Sequence, residues 1–322
     1  MSEDDALRLT NPPPLGYSLS NVRELLLGCL GAVQARSILE IGSYEGDLTV
    51  EILAWAKESS AEVATVDPDP PPKLRERSQA HPELVVHETT SHQVLAGLDT
   101  APDAVIIDGD HNYFTLSEEL RLIAALAGDD PLPLLMFHDV CWPHARRDTY
   151  YDADRIPEDQ RPPVGKDVGL APGNPGVDPS GLPYPWAALK EGGPRNGTLT
   201  AIEDFMEGRD DLRLAIVPAF FGFGVLWPDG IPGAEKLAEL LGPFDRHPVL
   251  ERLERNRVEH LVAGFARGVR IAELEDRVRR QEYLLRQMLD SRAFTVAEYV
   301  SRAYQRGKPT FSREKLRRAL EP

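Results

Sequence analysis

The sequence predicts an α/β protein built on an open, mostly parallel β-sheet with helices on both faces. From residue 37 onward, short runs of β-branched and other apolar residues alternate with segments of helical periodicity. These runs are continuously apolar rather than alternating, as expected for strands that are covered on both faces of a parallel sheet. Alternation of such strands with helices is typical of an open α/β sheet.

Five strands and two intervening helices are predicted within the first 140 residues. The strands are "SILEIG" (37–42), "VATVDP" (63–68), "LVVHET" (84–89), "DAVIIDG" (103–109) and "PLLMFHD" (133–139). The helices are "DLTVEILAWAKES" (47–59) and "LSEELRLIAALAG" (116–128), in which apolar residues recur at helical spacing.

The sheet is expected to close differently from how it begins. After a predicted helix at 198–208, the apolar run 212–220 leads almost directly into a second run at 221–228. No helix fits between these two runs, so they should form a hairpin. The last strand is therefore predicted to be antiparallel to the others.

Residues 143–194 contain 10 Pro and 7 Gly, together with Tyr150, Tyr151, Tyr184 and Trp186. Such a segment cannot form long helices, because proline lacks the backbone donor and clashes inside a helix. A disordered linker is one interpretation. Because the segment would lie at the ligand-binding ends of the strands, we favour an insertion at about 141–197 that acts as a lid.

Composition excludes several classes of protein. The net charge of −16 over 322 residues argues against a nucleic-acid partner, which would require clustered basic residues. The sequence contains no run of about 18 apolar residues, which a membrane-spanning helix would need. The start "MSEDDALRLT" lacks the features of a signal peptide. Only Cys29 and Cys141 are present, so a disulfide framework is not expected. These observations favour a cytoplasmic protein.

The charge is unevenly distributed along the chain. Residues 250–322 hold 17 Lys and Arg against 11 Asp and Glu, a net of +6, which leaves −22 for the remainder. This step predicts a first domain at 1–235 and a helical, partly coiled-coil region at 236–322. A basic tail could bind an acidic partner, but a solvated helix face is the commoner explanation.

The C-terminal region also carries a heptad-like apolar pattern. Ile271, Leu274, Val278, Leu285 and Met288 fall on 3-4 spacing, with Gln281 as the polar interruption. An apolar face continues upstream, so the helix is predicted to span about 40 residues. This pattern predicts a homodimer or higher homo-oligomer through the C-terminal helices, and docking of the helix on its own domain is the alternative.

Two glycines frame the turn that follows the first predicted strand. In "LEIGSYEG" (39–46), Gly42 and Gly46 would let a ligand approach the backbone, and Glu40 precedes them. The dinucleotide-binding pattern is absent, because Tyr44 stands where its second glycine should be. Asp67 ends the second strand, where a carboxylate can accept hydrogen bonds from ribose hydroxyls, although it could also be a plain turn residue.

Further acidic and histidine residues follow the fourth and fifth strands. "IIDGDHNYF" (106–114) supplies Asp108 and His111, and "FHDVCWPH" (137–144) supplies His138 and Asp139. Because the carboxyl ends of neighbouring parallel strands meet at one edge, these side chains should converge. Carboxylates are ligands that Mg²⁺ prefers, and an imidazole is suited to general-base work near neutral pH.

These features together resemble the class I S-adenosylmethionine-dependent methyltransferases, whose sheet has the strand order 3-2-1-4-5-7-6. "IDGDHNY" followed about 25 residues later by "HDV" is similar to the metal-dependent O-methyltransferases that act on sugar hydroxyls of natural products. The resemblance covers roughly residues 35–140 and 198–228. It implies Asp108 and Asp139 as metal ligands and His111 as the catalytic base. Many relatives have paired acids where this chain has His138-Asp139, which leaves His138 as the candidate third ligand.

The same resemblance implies S-adenosyl-L-methionine as cofactor, Mg²⁺ or another divalent cation, and a small acceptor that contains a sugar. The expected cofactor contacts are Glu40, Gly42, Ser43, Tyr44, Gly46, Asp67, Ser91, His92 and Asp108. The expected substrate contacts are Tyr113, His144, Arg147, Tyr150 and Tyr151.

Alternative interpretations remain open from the sequence. His111 could cap the following helix, and His138 could be a buried core residue. The chain could methylate the nitrogen of an amino sugar without a metal, or it could be a non-catalytic scaffold with a methyltransferase fold. Tyr44 disfavours chemistry that depends on NAD.

Overall fold

The computed structural model describes residues 17–304 and 313–319. The first ten residues, on which the expectation about a signal peptide rests, lie outside the described part of the chain. The chain divides into two compact units, residues 1–262 and 263–322. In the described residues, no helix combines the length and the apolar character that crossing a membrane requires.

In the part of the chain that the structure describes, ten strands form two sheets. They are β1 (Ser37–Ile41), β2 (Glu62–Val66), β3 (Leu84–His87), β4 (Ala104–Ile107), β5 (Leu134–His138), β6 (Thr149–Tyr150), β7 (Val164–Leu170), β8 (Leu182–Ala188), β9 (Leu212–Val217) and β10 (Phe223–Pro228). The main sheet has the order β3-β2-β1-β4-β5-β10-β9. Strands β1 to β5 pair in parallel, and β10 is antiparallel to both β5 and β9. The predicted fold class and the closing hairpin are confirmed.

The α-helices are α1 (Arg23–Val33), α2 (Asp47–Ser59), α3 (Pro72–Ala80), α4 (Ser91–Gly97), α5 (Tyr113–Ala127), α6 (Thr198–Met206), α7 (Ala234–Leu241), α8 (Pro248–Asp290), α9 (Arg292–Tyr304) and α10 (Arg313–Ala319). Helix α2 has the bounds that the sequence predicts. Helix α5 begins earlier than the predicted residue 116, because the Asn112 side chain caps it by accepting a hydrogen bond from Thr115 N at 2.8 Å. His111 therefore does not act as the cap.

The continuously apolar strands are buried on both faces of the main sheet. Consecutive residues of β1 enter different cores: Ile38 packs with Leu26 and Ile52 on one face, and Leu39 packs with Leu120 on the other. A strand that contacts helices on both faces needs apolar residues at every position, which is why the sequence shows no alternation.

The Pro- and Gly-rich insertion folds into the second sheet, with the antiparallel order β6-β8-β7. Between β6 and β7 the chain forms only short 3₁₀ turns, at Ala153–Arg155 and Glu158–Gln160. The expectation that this segment lacks long helices therefore holds for 149–194, while the pairing of its strands was not predicted.

The first unit extends past the predicted boundary at residue 235. Leu237 and Leu241 of α7 are buried in the core that contains Leu26. Leu250, at the start of α8, packs against the same core, and Val258 is buried as well. Because these apolar side chains are covered by the first unit, the residues that carry them belong to that unit.

Helix α8 is 43 residues long, which agrees with the predicted helix of about 40 residues. It passes through Gly264 and Gly268 without interruption. Glycine lowers helix stability by about 1 kcal/mol relative to alanine, and two such residues do not end a helix of this length. The second unit contains the later part of α8, together with α9 and α10.

Candidate active site

The turn between β1 and α2 lies against the end of β4. Gly42 has a φ of +85°, and a Cβ built on it would lie 2.1 Å from the carbonyl oxygen of Asp108. Its amide donates a hydrogen bond to Val66 O at 2.9 Å. Only glycine allows this close approach of backbones, so the first glycine of the motif is required by the packing of β1 against β4.

Two polar side chains at or next to this turn could hydrogen-bond to a ligand. Glu40 is buried and accepts a hydrogen bond from Thr49 Oγ1 at 2.6 Å, and burial raises the pKa of its carboxyl to about 7. The Ser43 hydroxyl is buried without a hydrogen-bond partner among the described residues. Buried hydroxyl groups normally have partners, so Ser43 Oγ marks a position at which a bound molecule can supply one.

The predicted site residues after β2 and β3 already have hydrogen-bond partners within the protein. Asp67 is half-buried and accepts a hydrogen bond from the amide of Asp69 at 2.9 Å. Ser91 donates to Glu119 Oε1 at 2.5 Å, and His92 Nε2 lies 3.0 Å from Thr115 O, so both contact α5. Asp67, Ser91 and His92 lie outside the lining of the cavity described next.

A cavity of about 570 Å³ opens at the carboxyl ends of β1, β4 and β5. It brings together eleven of the predicted site residues. They are Glu40, Gly42, Ser43, Tyr44, Asp108, His111, His138, Asp139, His144, Tyr150 and Tyr151.

Asp108, His111 and Asp139 form a compact group in this cavity. One ligand atom from each lies within 4.8 Å of the others, and His111 Nε2 is 3.1 Å from Asp139 Oδ2. Asp139 is buried, and its Oδ1 has no hydrogen-bond partner among the described residues. Burial raises the pKa of Asp139, against the opposing effect of His138 and His111. An orphaned buried carboxylate oxygen beside a second carboxylate fits a hard divalent cation.

His138 is bonded through both ring nitrogens. Nδ1 lies 2.9 Å from Asp108 Oδ1, and Nε2 lies 2.8 Å from the carbonyl oxygen of Phe220. Burial opposes a charge on this ring, but the carboxylates of Asp139 and Asp108 outweigh it and raise the pKa of His138 to about 10. Both nitrogens therefore carry protons and donate, so His138 has no lone pair for a metal ion.

The other two histidines are neutral. Burial lowers the pKa of His111 to about 4, although Asp139 acts in the opposite direction. Burial and the charge of His138 lower the pKa of His144 to about 3. His144 Nδ1 lies 2.9 Å from Thr149 Oγ1, and the ring centroids of His111 and His144 are 4.8 Å apart. Neutral imidazoles can accept a proton or a metal ion.

Residues 39–140 match a family model described as a methyltransferase domain. The matched segment runs from β1 to just beyond β5, and it contains both the glycine turn and the Asp108–His111–Asp139 group. This segment, about a third of the chain, is similar to a methyltransferase domain, and the strand order of the main sheet agrees with that similarity. A comparison with curated proteins finds no match.

Several solved structures are similar to the chain at low identity. SAH-bound PaMTH1 of Podospora anserina is 15% identical, over 70% of this chain and 85% of that one, with a TM-score of 0.43. The O-methyltransferase TomG of Streptomyces achromogenes is 17% identical over 70% and 86%, with a TM-score of 0.40. DesVI of Streptomyces venezuelae is 13% identical over 70% and 96%, with a TM-score of 0.39.

The cavity also has aromatic lining residues that are not among the predicted site residues. Tyr17 stacks on Phe221 with ring centroids 5.3 Å apart, and Tyr184 of β8 also lines the cavity. Ser18 and Thr149 are further lining residues that were not predicted. The positive φ of Phe220 and Phe221 depends on the β9–β10 turn and leaves no pattern in the sequence.

Besides Asp67, Ser91 and His92, three further predicted residues lie outside the cavity lining. The Tyr113 hydroxyl donates to Asp204 Oδ2 at 2.8 Å. Arg147 is fully buried and donates to the carbonyl oxygens of Ala188 at 2.7 Å and Pro175 at 2.8 Å. Gly46 begins α2 at its N-cap. The Tyr113 hydroxyl and both Nη groups of Arg147 are engaged by the protein itself, and the Nε of Arg147 is buried without a partner among the described residues. Neither side chain lines the cavity, so we leave both out of the acceptor site.

Proposed function

We propose that this domain transfers the methyl group of S-adenosylmethionine to a hydroxyl of a small polar acceptor, a sugar or another small natural product, with assistance from a divalent cation. The observation that carries the proposal is the group formed by Asp108, His111 and Asp139. These residues lie at the ends of β4 and β5, in the cavity that also contains the glycine turn.

Asp108 and Asp139 would hold the cation, for which Mg²⁺ is the leading candidate. Both supply carboxylate oxygens, and Oδ1 of Asp139 is buried without a partner among the described residues. A bound divalent cation lowers the pKa of a coordinated hydroxyl and fixes its orientation. His138 is not part of this proposed ligand set, because both of its nitrogens already donate hydrogen bonds.

His111 is the proposed general base. Its ring is neutral, it lies beside both carboxylates, and it lines the cavity. A neutral imidazole can take the proton of an acceptor hydroxyl as the oxygen attacks the sulfonium methyl group. The rest of the rate enhancement would come from alignment of the oxygen, the methyl carbon and the sulfur in one line.

The cofactor is proposed to bind along the β1 and β2 edge. Glu40 and the hydroxyl of Ser43 would contact its methionine part, with Gly42, Tyr44 and Gly46 shaping the turn. Asp67 would accept hydrogen bonds from the ribose hydroxyls, and Ser91 and His92 would lie near the adenine. The free hydroxyl of Ser43 is the structural feature that supports this arrangement most directly.

The acceptor would occupy the side of the cavity that faces the insertion. Tyr17, Tyr151, Tyr184 and Phe221 give this side apolar faces, and His144 gives it a polar group. Aromatic faces pack against the C–H face of a sugar ring while the ring hydroxyls reach polar groups at its edge. This combination supports a sugar-bearing acceptor.

A cationic His138 favours a second candidate, which is methyl transfer without a metal. Its charge partly neutralises the two carboxylates, so a metal ion would meet a weaker negative potential. In that case the His111–Asp139 pair would act as the base on its own, or the acceptor would be the amine of an amino sugar. Removal of metal distinguishes the two candidates.

The wider setting is also part of the proposal. Both cysteines are free, which is typical of a reducing compartment, and we propose that the protein works in the cytoplasm. We further propose that it forms a homodimer or higher homo-oligomer through its C-terminal helices.

The proposed cation site can be tested by calorimetric titration of Mn²⁺ and Mg²⁺ into the protein, with and without S-adenosylmethionine. Asp108→Asn and Asp139→Asn should each abolish cation binding and leave cofactor affinity within about twofold. His111→Ala should keep cation affinity and lower the rate of methyl transfer to a sugar-bearing acceptor by about 10²–10⁴-fold.

Asp99→Asn serves as the control, because Asp99 is an exposed carboxylate outside the cavity and should change neither affinity. Methyl transfer that is undiminished in excess chelator would reject the metal and support the metal-free candidate. Failure of the wild-type protein to bind S-adenosylmethionine would reject the cofactor assignment.

A further inference from the structure

The part of α8 between Arg270 and Leu289 presents an exposed apolar stripe. Ile271, Leu274, Val278, Leu285 and Met288 are 43–60% exposed. All lie in the second unit, on one continuous helix. A stripe of this kind with 3-4 spacing is the seam of a coiled coil, in which Ile271, Val278 and Leu285 take the a positions.

The charged residues that flank this seam have a consistent sign on each side. With Ile271 at position a, Arg270 and Arg277 occupy g positions, and Glu275 and Glu282 occupy e positions. All four residues lie on the described helix, and only Glu282 is partly buried. One edge of the seam is therefore basic, and the other edge is acidic.

We propose that residues 270–289 pair with the same segment of a second copy of this chain as a parallel, in-register, two-stranded coiled coil. The proposal rests on the self-association put forward above and goes beyond it by assigning the partner segment, the orientation and the register.

Charge complementarity selects the parallel orientation. In a parallel pair, each g residue faces the e residue of the next heptad on the partner helix. Arg270 then faces Glu275 of the second copy, and Arg277 faces Glu282. In an antiparallel pair, g faces g and e faces e, which would place Arg against Arg and Glu against Glu. Like charges in such positions are destabilising.

Gln281 selects the register within that orientation. It occupies a d position, so a parallel in-register pair brings the two Gln281 amides together, where they can hydrogen-bond to each other. A shift of one heptad would place Gln281 against Leu274 or Met288. An antiparallel pair matched end to end would place it against Val278. Both arrangements leave a buried amide without a partner, which is unfavourable.

Orientation can be tested by oxidative cross-linking of the full-length chain. Ile271→Cys should form a disulfide-linked dimer under mild oxidation, because a positions face each other across a parallel seam within disulfide reach. The wild-type chain is the control for Cys29 and Cys141. An antiparallel pair would instead give cross-links only when Ile271→Cys and Met288→Cys chains are mixed.

Charge pairing can be tested by sedimentation velocity over a concentration series. Arg277→Glu places two acidic residues together at each of two sites per dimer, and it should weaken the dimer about tenfold or more. The exchange Arg277→Glu with Glu282→Arg should restore affinity. Arg280→Glu makes the same charge change at a c position, away from the seam, and should leave the dimer nearly unchanged while circular dichroism monitors helix content.

The outcomes separate the two proposals. Cross-linking through Ile271→Cys together with rescue by the charge exchange supports the parallel pair. Cross-linking only in the mixture of Ile271→Cys and Met288→Cys chains, or equal weakening by Arg277→Glu and Arg280→Glu, rejects the orientation while self-association stands. A wild-type chain that is monomeric at hundreds of micromolar rejects both.

Discussion

Ser43 has an unsatisfied hydroxyl in the turn between β1 and α2. Its hydroxyl is buried without a hydrogen-bond partner among the described residues, so it costs free energy until a ligand binds. We predict that Ser43→Ala leaves the melting temperature of the ligand-free protein unchanged or raises it slightly. The same substitution should weaken S-adenosylmethionine binding by about two- to tenfold, since one hydrogen bond is lost. Calorimetry and thermal denaturation measure the two effects. Unchanged affinity would remove Ser43 from the proposed cofactor contacts.

The sequence predicted the site residues whose position follows from strand ends alone. Asp108, His111 and Asp139 come directly after β4 and β5, and neighbouring parallel strands bring them together. The bonding of His138 could not be predicted in the same way. It depends on the carbonyl of Phe220, which lies 82 residues away in the β9–β10 turn. Contacts at such separation leave no local pattern.

Arg147 joins separate parts of the insertion through one buried side chain. Its guanidinium is buried and donates to Ala188 O of β8 and to Pro175 O and Gly176 O of the preceding loop. Lysine has fewer donors and no planar fork, so Arg147→Lys should leave some of these carbonyls unpaired. We predict a loss of about 2–4 kcal/mol in stability.

Limited proteolysis should locate this loss. In the Arg147→Lys variant, cleavage within 150–194 should become faster than cleavage elsewhere. Arg155→Lys is the matched control, because Arg155 is an exposed residue of the same insertion that pairs only at 3.4 Å with Asp152. Identical cleavage patterns in the two variants would show that Arg147 does not hold the insertion.

The glycine content of the insertion is a poor guide to its secondary structure. Its many glycines suggested irregular chain, yet Gly169 lies so close to the loop before β8 that a Cβ on it would be 2.0 Å from Asp178 O. The amide of Asp178 donates to Gly169 O at 2.7 Å. Glycine here allows tight backbone pairing, and a glycine count cannot distinguish that use from flexibility.

Glu254 couples the first turns of α8 to the active site. Its carboxylate accepts hydrogen bonds from the amides of Phe220 at 3.0 Å and Phe221 at 2.7 Å, both of which have positive φ. The same turn supplies the carbonyl that bonds His138. Glu254→Ala should therefore lower stability by about 1–3 kcal/mol, because two amides lose their partner. Calorimetric titration should also show weaker cation binding.

Glu251→Ala is the control for that variant, since Glu251 is an exposed residue one turn earlier on α8. Equal stability of the Glu254→Ala and Glu251→Ala variants would show that the β9–β10 turn holds its conformation without the carboxylate.

At the scale of the whole molecule, the charge step near residue 250 predicted a boundary that the contacts place later. Charged residues indicate which surfaces face solvent, whereas the limit of a domain is set by which side chains pack into its core. Leu250 and Val258 contribute apolar surface to the first unit although they follow the change in charge. The start of α8, up to Val262, thus belongs to the first unit.

This division makes the place of truncation decisive. A chain that ends after Val262 keeps Leu250, Glu254 and Val258, and it should fold, bind S-adenosylmethionine like the full-length protein, and be monomeric because the seam is gone. A chain that ends at Asp245 loses all three residues and should melt well below the longer fragment, since a buried aliphatic side chain is worth about 1.5–3 kcal/mol. Light scattering, thermal denaturation and calorimetry on both fragments test these expectations. A dimer of the longer fragment would place the association surface within the first unit. Equal melting temperatures would show that the start of α8 contributes nothing to the fold of the first unit.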